Sequence, residues 1–228
     1  VEQTEQKGTG HALLQVKNLL NNKFIMLNGD CIYSEKDIEA CVVYNYAILG
    51  VPVDNPEHYG VLNHENGLLI NIDEKPANPQ SNLINAGLYI LDEVIFDMLS
   101  SLKVSVRGEI ELTDAIVKLT KLHNVNCVES KDYWLTLTFP WDLLTANEFF
   151  LKSMLGDKEE EGKQQILGVV EKNAVLKGPI YVGKNTLIKS GSYIEGPVMI
   201  GDNCTIGPNC YIRPYTTIGN NCKVANNA

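Results

Sequence analysis

The sequence predicts an α/β domain with a mostly parallel sheet, followed by a parallel β-helix. Through the first 155 residues, short apolar runs alternate with amphipathic segments, and this alternation is typical of a parallel sheet covered by helices. An aliphatic residue then recurs at every sixth position from Val170 to Val224. Hexapeptide repeats of this kind build parallel β-helices, with three repeats to a turn. The six-residue period therefore indicates a solenoid.

Five segments define most of the first domain. Residues 11–20 carry apolar side chains at helical spacing, which predicts a helix. Residues 24–27, 46–51 and 88–91 are short apolar runs, typical of strands buried on both faces of a parallel sheet. Residues 112–122 predict a second helix. Its expected inner face consists of Leu112, Ala115, Ile116, Leu119 and Leu122.

The end of the first domain is marked by a third helix and a charged segment. Pro140 occupies the favoured first position of a helix that we expect to run to about Leu155. Residues 156–163 are mostly charged, which predicts a linker. We therefore expect a first domain at 1–155, a linker at 156–165 and a β-helix at 166–228.

Residues eighteen apart stack in such a coil, so Val182, Ile200 and Ile218 should form one interior ladder. Cys204 and Cys222 should form part of a second ladder. The six cysteines show no paired spacing, which predicts small buried side chains rather than metal ligands or disulfides. The glycines expected at the corners, where the chain turns, are Gly183, Gly201, Gly207 and Gly219.

Composition excludes several partners. The chain has 28 acidic and 19 basic residues, a net charge of -9, and no lysine or arginine cluster, so we expect neither nucleic acid nor an anionic membrane as a partner. No apolar run approaches twenty residues, which predicts no membrane span. Unpaired cysteines favour a reducing, cytoplasmic location.

Two polar segments lie where α/β proteins commonly carry their catalytic and ligand-binding residues. Asn28-Gly29-Asp30 directly follows the predicted strand at 24–27, at the sheet edge where ligands bind. A carboxylate there can hold Mg²⁺, but Asn-Gly is equally typical of a tight turn. The glycine-rich stretch before the first helix can approach a base or phosphate, or can simply be a helix start capped by Thr9. Both alternatives stay open on spacing alone.

A set of ordered motifs carries a family resemblance. The motifs are Gln3-x-x-Gln6-x-Gly8-Thr9-Gly10-His11-Ala12, Asn28-Gly29-Asp30, Tyr59-Gly60-Val61, Glu74-Lys75-Pro76, Ile84-Asn85-Ala86-Gly87, Arg107-Gly108-Glu109-x-Glu111-Leu112-Thr113-Asp114-Ala115, Trp134-Leu135 and Pro140-Trp141-Asp142-Leu143-Leu144. With the hexads behind them, the chain resembles the sugar-1-phosphate nucleotidyltransferases, most closely the bifunctional archaeal type. The resemblance implies a Rossmann-like first domain and a left-handed β-helix.

The resemblance also implies roles for individual residues of the first five motifs. Asp30 would hold the catalytic Mg²⁺ beside Gly29, and Lys75 would contact the sugar phosphate. The residues implied to lie at the base are Gln3 and Gly8, with Gln6 and Thr9 beside them. Those implied to lie at the sugar are Gly60, Glu74 and Asn85, with Ala86 beside them. The reaction would be attack of a sugar-1-phosphate oxygen on the α-phosphorus of UTP or dTTP, with release of pyrophosphate.

Two departures from the family pattern lead to further expectations. Thr136 stands where many members have a second metal-binding acid. The family's glycine-rich phosphate loop has no counterpart, and the last coil has no cap, so we expect a chain truncated at both ends that cannot turn over alone. The choice of nucleotide and of glucose or N-acetylglucosamine phosphate is open on sequence.

Two alternatives accompany this interpretation. Hexad β-helices often belong to acetyltransferases, whose active coils would lie outside this chain, since His11, His58, His64 and His123 all precede the hexads. The coils here are expected to form a trimer. Alternatively, loss of the metal acid fits a catalytically silent subunit that binds nucleotide sugars.

Overall fold

The computed structural model describes residues 1–105, 108–157 and 164–228. Arg107 and most of the predicted linker lie outside these ranges. The chain divides into two compact units, Val1–Thr136 and Leu137–Ala228. No helix in the described ranges is long and apolar enough to cross a bilayer.

Among its described residues, the first unit contains eight strands in two sheets. The strands are β1 (Phe24–Leu27), β2 (Cys31–Tyr33), β3 (Ala47–Pro52), β4 (Gly60–Glu65), β5 (Leu68–Glu74), β6 (Leu83–Leu91), β7 (Asn126–Glu129) and β8 (Trp134–Thr136). Six of them form the main sheet in the order β1-β6-β3-β7-β5-β4, and β2 pairs with β8 as a separate ribbon. The three predicted strands are thus confirmed as elements of this unit.

The pairing differs from the predicted, mostly parallel sheet. Strands β3 and β7 are parallel, whereas β6 runs antiparallel to β1, β3 and β4, and β5 runs antiparallel to β4 and β7. The α/β class is confirmed, but the described sheet is mixed. Strand β1 pairs with β6 as an edge strand, and its side chains Ile25 and Leu27 are 43% and 44% exposed, so it is not buried on both faces as predicted.

The described part of this unit has four α-helices: α1 (Thr9–Leu14), α2 (Glu35–Val42), α3 (Val94–Ser100) and α4 (Leu112–Leu119). The first is shorter than the predicted 11–20, because its bonds tighten to i→i−3 at Gln15 and Val16 and a 3₁₀ turn, Lys17–Leu19, follows. Helix α4 buries four of its five predicted inner residues, but it ends at Leu119 and leaves Leu122 64% exposed. Helices α1, α3 and α4 contribute to one core with the sheet.

The second unit begins with helix α5 (Asp142–Leu155). Pro140 lies two residues before its first turn, not at the first helical position as predicted. Asn147 of this helix donates to the Tyr215 carbonyl at 2.7 Å and accepts from the Thr217 hydroxyl at 2.7 Å. The helix is therefore attached to the β-helix, although the predicted domain limits group it with the first domain by sequence position.

The β-helix consists of eleven short strands in three parallel stacks. They are β9 (Gln164–Ile166), β10 (Val169–Val170), β11 (Val175–Lys177), β12 (Ile180–Val182), β13 (Leu187–Ile188), β14 (Tyr193–Glu195), β15 (Val198–Ile200), β16 (Thr205–Ile206), β17 (Tyr211–Ile212), β18 (Thr216–Ile218) and β19 (Lys223–Val224). Val182, Ile200 and Ile218 pair in register eighteen residues apart, which confirms the predicted ladder. The Cys222 backbone N–H lies 3.4 Å from the Cys204 sulfur, which confirms the second ladder.

Asparagine shares the corners of the coil with glycine, a feature that was not predicted from the sequence. Asn185, Asn203 and Asn221 all have positive φ, the backbone region in which asparagine is the most tolerated side chain after glycine. They lie eighteen residues apart, and the Asn185 side-chain amide donates to the Asn203 side-chain oxygen at 3.2 Å. Their spacing is the signal that would have identified them.

Candidate functional site

The site is organised around a bend in strand β6, residues 85–87. Gly87 has φ +78°, and the register between β3 and β6 shifts between Ile48 and Gly50. The Asn85 side-chain oxygen accepts from the Gly87 N–H at 3.0 Å, and its amide donates to the Tyr89 hydroxyl at 2.7 Å. These two bonds define the bend.

The turn that carries Asp30 is bonded to this bend. The Asn28 N–H donates to the Gly87 carbonyl at 2.9 Å, and the Cys31 N–H returns to the Asn28 carbonyl at 3.3 Å. The tight-turn interpretation of Asn28-Gly29-Asp30 is therefore correct. It does not compete with a metal role, because the turn leaves Asp30 exposed to solvent beside the bend.

The β2–β8 ribbon places Thr136 next to Asp30. Cys31 pairs across the ribbon with Thr136, and the Cys31 thiol lies 3.6 Å from an Asp30 carboxylate oxygen. Burial raises the pKa of the Cys31 thiol, with a smaller rise from the Asp30 charge, while hydrogen bonds with Tyr33 and Thr136 act in the opposite direction. Cys31 therefore lies between Asp30 and Thr136, the residue expected to replace the second metal-binding acid.

The residues predicted at the sugar lie together on the same side of the bend. Gly60 pairs with Glu74 across β4 and β5. A Cβ added at Gly60 would lie 3.1 Å from a Glu74 carboxylate oxygen and 3.7 Å from the Asn85 Cβ. Burial raises the pKa of Tyr89 to about 12, and the Glu74 charge adds to that rise. Gly60, Glu74 and Asn85 thus form one cluster, in which Asn85 bonds the Tyr89 hydroxyl.

Lys75 directly follows strand β5 in a backbone conformation unusual for a residue with a side chain. Its φ is +47°, and its N–H donates to the Tyr59 carbonyl at 2.9 Å. The backbone of this predicted phosphate contact is therefore fixed one residue after Glu74, and its side chain is exposed to solvent.

The loop predicted to read the base packs against the segment after Gly108. The Gly10 N–H donates to the Ile110 carbonyl at 2.9 Å, and the Ile110 N–H donates to the Lys7 carbonyl at 2.8 Å. Gly8 has φ +92°, and an added Cβ would lie 2.8 Å from the Ile110 carbonyl oxygen. Gly8 and Gly10 are therefore required, because their backbone lies too close to the Ile110 carbonyl to leave room for a side chain. Gln6 is exposed in this loop.

Gln3 and Thr9 make bonds that the sequence did not predict. The Gln3 amide donates to the Gly8 carbonyl at 3.2 Å and lies 2.9 Å from His11 Nδ1. Thr9 does not cap its own helix, whose N-cap is Gly8, but its hydroxyl accepts from the Leu112 N–H at the start of α4, at 3.4 Å. The bonds described for this loop run within the loop, to α1, and to α4 and its approach, and none of them reaches Asp30 or Asn85.

The oxygen atoms at Asp30 suit a hard cation that is also bound by the phosphates of a substrate. Within the described ranges, no three acidic, histidine or cysteine side chains converge to hold a metal. Mg²⁺ is commonly held by one or two carboxylates together with substrate phosphates and water, rather than by a cage of side chains. One exposed carboxylate beside a neutral hydroxyl, Asp30 beside Thr136, suits that mode of binding.

Sequence reasoning missed two tyrosines of the site. Tyr33 donates to the Ala86 carbonyl at 2.8 Å, and Tyr89 accepts from Asn85. Each lies a few residues beyond a recognised motif, so aromatic residues following Asn28-Gly29-Asp30 and Asn85 were the available signal. Trp134, noted only as part of a motif, donates to the same Ala86 carbonyl at 3.2 Å.

The chain is similar to known proteins over both of its predicted domains. The nucleotidyl transferase family matches residues 1–153, and the bacterial transferase hexapeptide repeat matches residues 197–228. The chain is 41% identical over 189 residues to the bifunctional protein GlmU of Methanocaldococcus jannaschii, covering 82% of this chain and 44% of that protein.

Two further proteins extend the comparison. The bifunctional sugar-1-phosphate nucleotidylyltransferase/acetyltransferase of Sulfurisphaera tokodaii is 42% identical over 190 residues, covering 82% of this chain and 45% of that protein. A Bacillus anthracis crystal structure assigned as a glucose-1-phosphate thymidylyltransferase, in complex with a sucrose, has a TM-score of 0.56 and 29% identity, covering 64% of this chain and 62% of that one. The chain spans less than half the length of the two curated relatives.

Proposed function

Because the chain belongs to the nucleotidyl transferase family, we propose that its protein joins a nucleoside triphosphate to a sugar-1-phosphate and releases pyrophosphate. The observation that carries this proposal is the bond between the Asn28 N–H and the Gly87 carbonyl. It ties the turn that carries the exposed Asp30 to the bend that carries Asn85, which clusters with Gly60 and Glu74. We infer that the carboxylate would hold a metal ion and that the cluster would bond hydroxyls, the two contacts that a sugar phosphate needs.

The roles follow from the chemistry of these side chains. Asp30 would hold Mg²⁺, which would neutralise charge on the phosphates of the nucleotide. The Asn85 and Glu74 side chains can bond sugar hydroxyls, and the exposed Lys75 ammonium can contact the sugar phosphate. Gln3 and Gly8, with Gln6 and Thr9 beside them, would face the base. The remaining task is positioning the sugar phosphate oxygen in line with the α-phosphorus, which requires no protein nucleophile.

The finer identity of substrates is part of the same proposal. The family resemblance implies UTP or dTTP as nucleotide and N-acetylglucosamine-1-phosphate or glucose-1-phosphate as sugar. The sugar-1-phosphate nucleotidylyltransferase relative supports a sugar-1-phosphate substrate, and the thymidylyltransferase-like structure supports dTTP with glucose-1-phosphate. The hexapeptide coils support assembly as a trimer, and we place the enzyme in the cytoplasm. Acetyl transfer is not proposed, since none of the four histidines lies in the coils.

The test is pyrophosphate release by this chain, and by any longer natural protein that contains it. Each nucleotide is crossed with each sugar phosphate in the presence of Mg²⁺. Release with one pair, abolished by Asp30→Asn and retained in the matched exposed control Asp97→Asn, would support the proposal. Absence of release from every form of the protein with all four pairs would refute it.

One observation favours a second candidate. Thr136 carries a neutral hydroxyl that is hydrogen-bonded with the Cys31 thiol, beside Asp30. A hydroxyl is a poorer Mg²⁺ ligand than a carboxylate. A silent subunit would bind the nucleotide sugar without turnover. Equilibrium dialysis with UDP-N-acetylglucosamine and dTDP-glucose, run beside the pyrophosphate assay, distinguishes the two functions.

A further inference from the structure

We propose that Tyr33 and Trp134 are positioning residues that hold the Asp30 ribbon against the bend at residues 85–87. The inference rests on the proposed function. Its observation is the convergence of two side-chain donors on one backbone oxygen. The Tyr33 hydroxyl and the Trp134 indole N–H donate to the Ala86 carbonyl at 2.8 and 3.2 Å.

The two donors come from opposite strands of the ribbon. Tyr33 of β2 pairs directly with Trp134 of β8, and direct neighbours across an antiparallel pair project from the same face. Both rings pack against a core cluster that includes Ala86, whose exposure is 1%. The Trp134 ring also meets the Tyr59 ring edge-on, at 6.5 Å between centroids. The ribbon therefore lies on the main sheet through one shared acceptor.

These bonds bracket Asp30 in the sequence. Before it, the Asn28 N–H binds the Gly87 carbonyl, and after it, Tyr33 binds the Ala86 carbonyl. Both acceptors belong to the bend that orients Asn85. The separation between the Asp30 carboxylate and the Asn85 amide is thus set by backbone carbonyls of two consecutive residues, which cannot move independently.

A shared acceptor predicts a specific form of coupling. A carbonyl oxygen has two lone pairs and remains satisfied by one donor. If one donor is removed, the other still pairs Ala86. If both donors are removed, the buried Ala86 carbonyl loses both of its side-chain partners. Leaving a buried acceptor unpaired costs far more free energy than losing one of its two hydrogen bonds. The effects of the two removals should therefore be strongly non-additive.

The consequence for turnover concerns orientation more than affinity. In-line attack needs the sugar phosphate, held near Asn85, to be aligned with the nucleotide, held near Asp30. A ribbon free to shift would lower kcat while leaving KM for each substrate within about twofold. We expect each single variant to lose less than about threefold in kcat and the double variant to lose about 30-fold or more, because misplacement by 1 Å can cost about 100-fold.

The experiment is a double-mutant cycle with Tyr33→Phe and Trp134→Phe. Steady-state kcat and KM, nucleotide-sugar dissociation constants with and without Mg²⁺, and the midpoint of urea unfolding are measured for all four proteins. Trp134→Phe also removes ring volume, but that loss occurs in both backgrounds and cancels in the coupling term. Tyr44→Phe and Trp141→Phe, at residues 39% and 62% exposed, serve as controls.

The expected result is a coupling in kcat that exceeds the coupling in KM, with controls within about twofold of the wild type. Two outcomes would overturn this inference but not the proposed function. One is that the effects of the two substitutions on kcat simply multiply. The other is that the unfolding midpoint shifts while kcat and nucleotide-sugar affinity stay unchanged. A wild-type protein that neither turns over nor binds a nucleotide sugar would overturn the proposed function, and this inference with it.

Discussion

The side-chain amide of Asn85 donates a 2.7 Å hydrogen bond to the hydroxyl of Tyr89, four residues further along the same strand. With the bond from the Gly87 N–H to its oxygen, this leaves the Asn85 amide oriented before any ligand arrives. Asn85 can offer a sugar its second amide hydrogen, in a direction that Tyr89 sets. Preorganisation of this kind lets a contact favour one sugar over another.

Tyr89→Phe should therefore weaken both stability and sugar binding. Loss of the hydroxyl leaves an amide hydrogen of Asn85 without its partner, which should lower the free energy of unfolding by about 1–3 kcal/mol. Urea unfolding measures this loss, and KM for the sugar phosphate should rise. Tyr44→Phe, at a 39% exposed residue, is the control. Equal unfolding midpoints for the two variants would contradict the prediction.

Gly87 and Gly67 form a matched pair for substitution by alanine. Their φ angles are +78° and +77°, but a Cβ at Gly87 would lie 2.2 Å from the Asn28 side-chain nitrogen, whereas one at Gly67 meets nothing within 4 Å. Gly67→Ala should cost about 1–2 kcal/mol, the penalty of a left-handed backbone. Gly87→Ala should cost more, because it also displaces Asn28 and with it the Asp30 turn. Urea unfolding gives both values, and Mg²⁺-dependent nucleotide-sugar binding should fall for Gly87→Ala alone.

Thr136→Asp should strengthen Mg²⁺ binding. A second carboxylate beside Asp30 supplies another hard oxygen ligand, and we expect the half-saturating Mg²⁺ concentration to fall about tenfold, or about 1.4 kcal/mol. Without metal, repulsion between the two carboxylates should destabilise the fold slightly. Thr136→Asn matches the size without the charge. If the asparagine variant binds Mg²⁺ as tightly as the aspartate variant, charge is not the cause.

Two hydroxyls of the β-helix should respond differently to removal. The Thr186 hydroxyl donates to the Gly201 carbonyl at 2.6 Å and accepts from the Cys204 N–H at 2.9 Å. The buried Ser192 hydroxyl has no hydrogen-bond partner among the described residues. Thr186→Val should lower the free energy of unfolding by about 1–3 kcal/mol, and Ser192→Ala should change it by less than about 1 kcal/mol or raise it. Thermal unfolding that ranks them in the opposite order would contradict this interpretation.

Alkaline pH should destabilise the first unit through two thiols. Burial is the main cause that raises the pKa of Cys41 and of Cys127, from an ordinary 9.0 to about 12 in each case. The folded state therefore keeps protons that the unfolded chain loses above pH 9, so this stabilisation is complete below that pH and is lost as pH rises toward about 12. Urea unfolding between pH 8 and 11 should show the decline. Cys41→Val removes one titrating group and should flatten the curve.

The sequence correctly predicted the features that depend on a pattern repeated over a short range of the chain. The hexad period places Val182, Ile200 and Ile218 on one ladder, because each coil repeats the same short-range geometry. The inner face of α4 followed from helical spacing in the same way. The edge position of β1 and the antiparallel pairing of β6 did not follow, since each depends on strands distant in the chain. The end of α1 was also missed, because the same apolar spacing continues into a 3₁₀ turn. The predicted site residues and the Mg²⁺ at Asp30 stay predictions, although the fold brings Asp30, Gly60, Glu74 and Asn85 to one place.

The sequence by itself determined the order of two unlike units, the coil ladder and the motifs that resemble a nucleotidyltransferase. These features depend on local periodicity and residue type, which the order of residues records directly. Only the tertiary structure decided that Thr9 caps a helix beginning at Leu112 and that Tyr33 and Trp134 share the Ala86 carbonyl. Such bonds join residues 48 to 103 positions apart. Their partners are chosen by how strands and loops pack, and no local pattern records that choice.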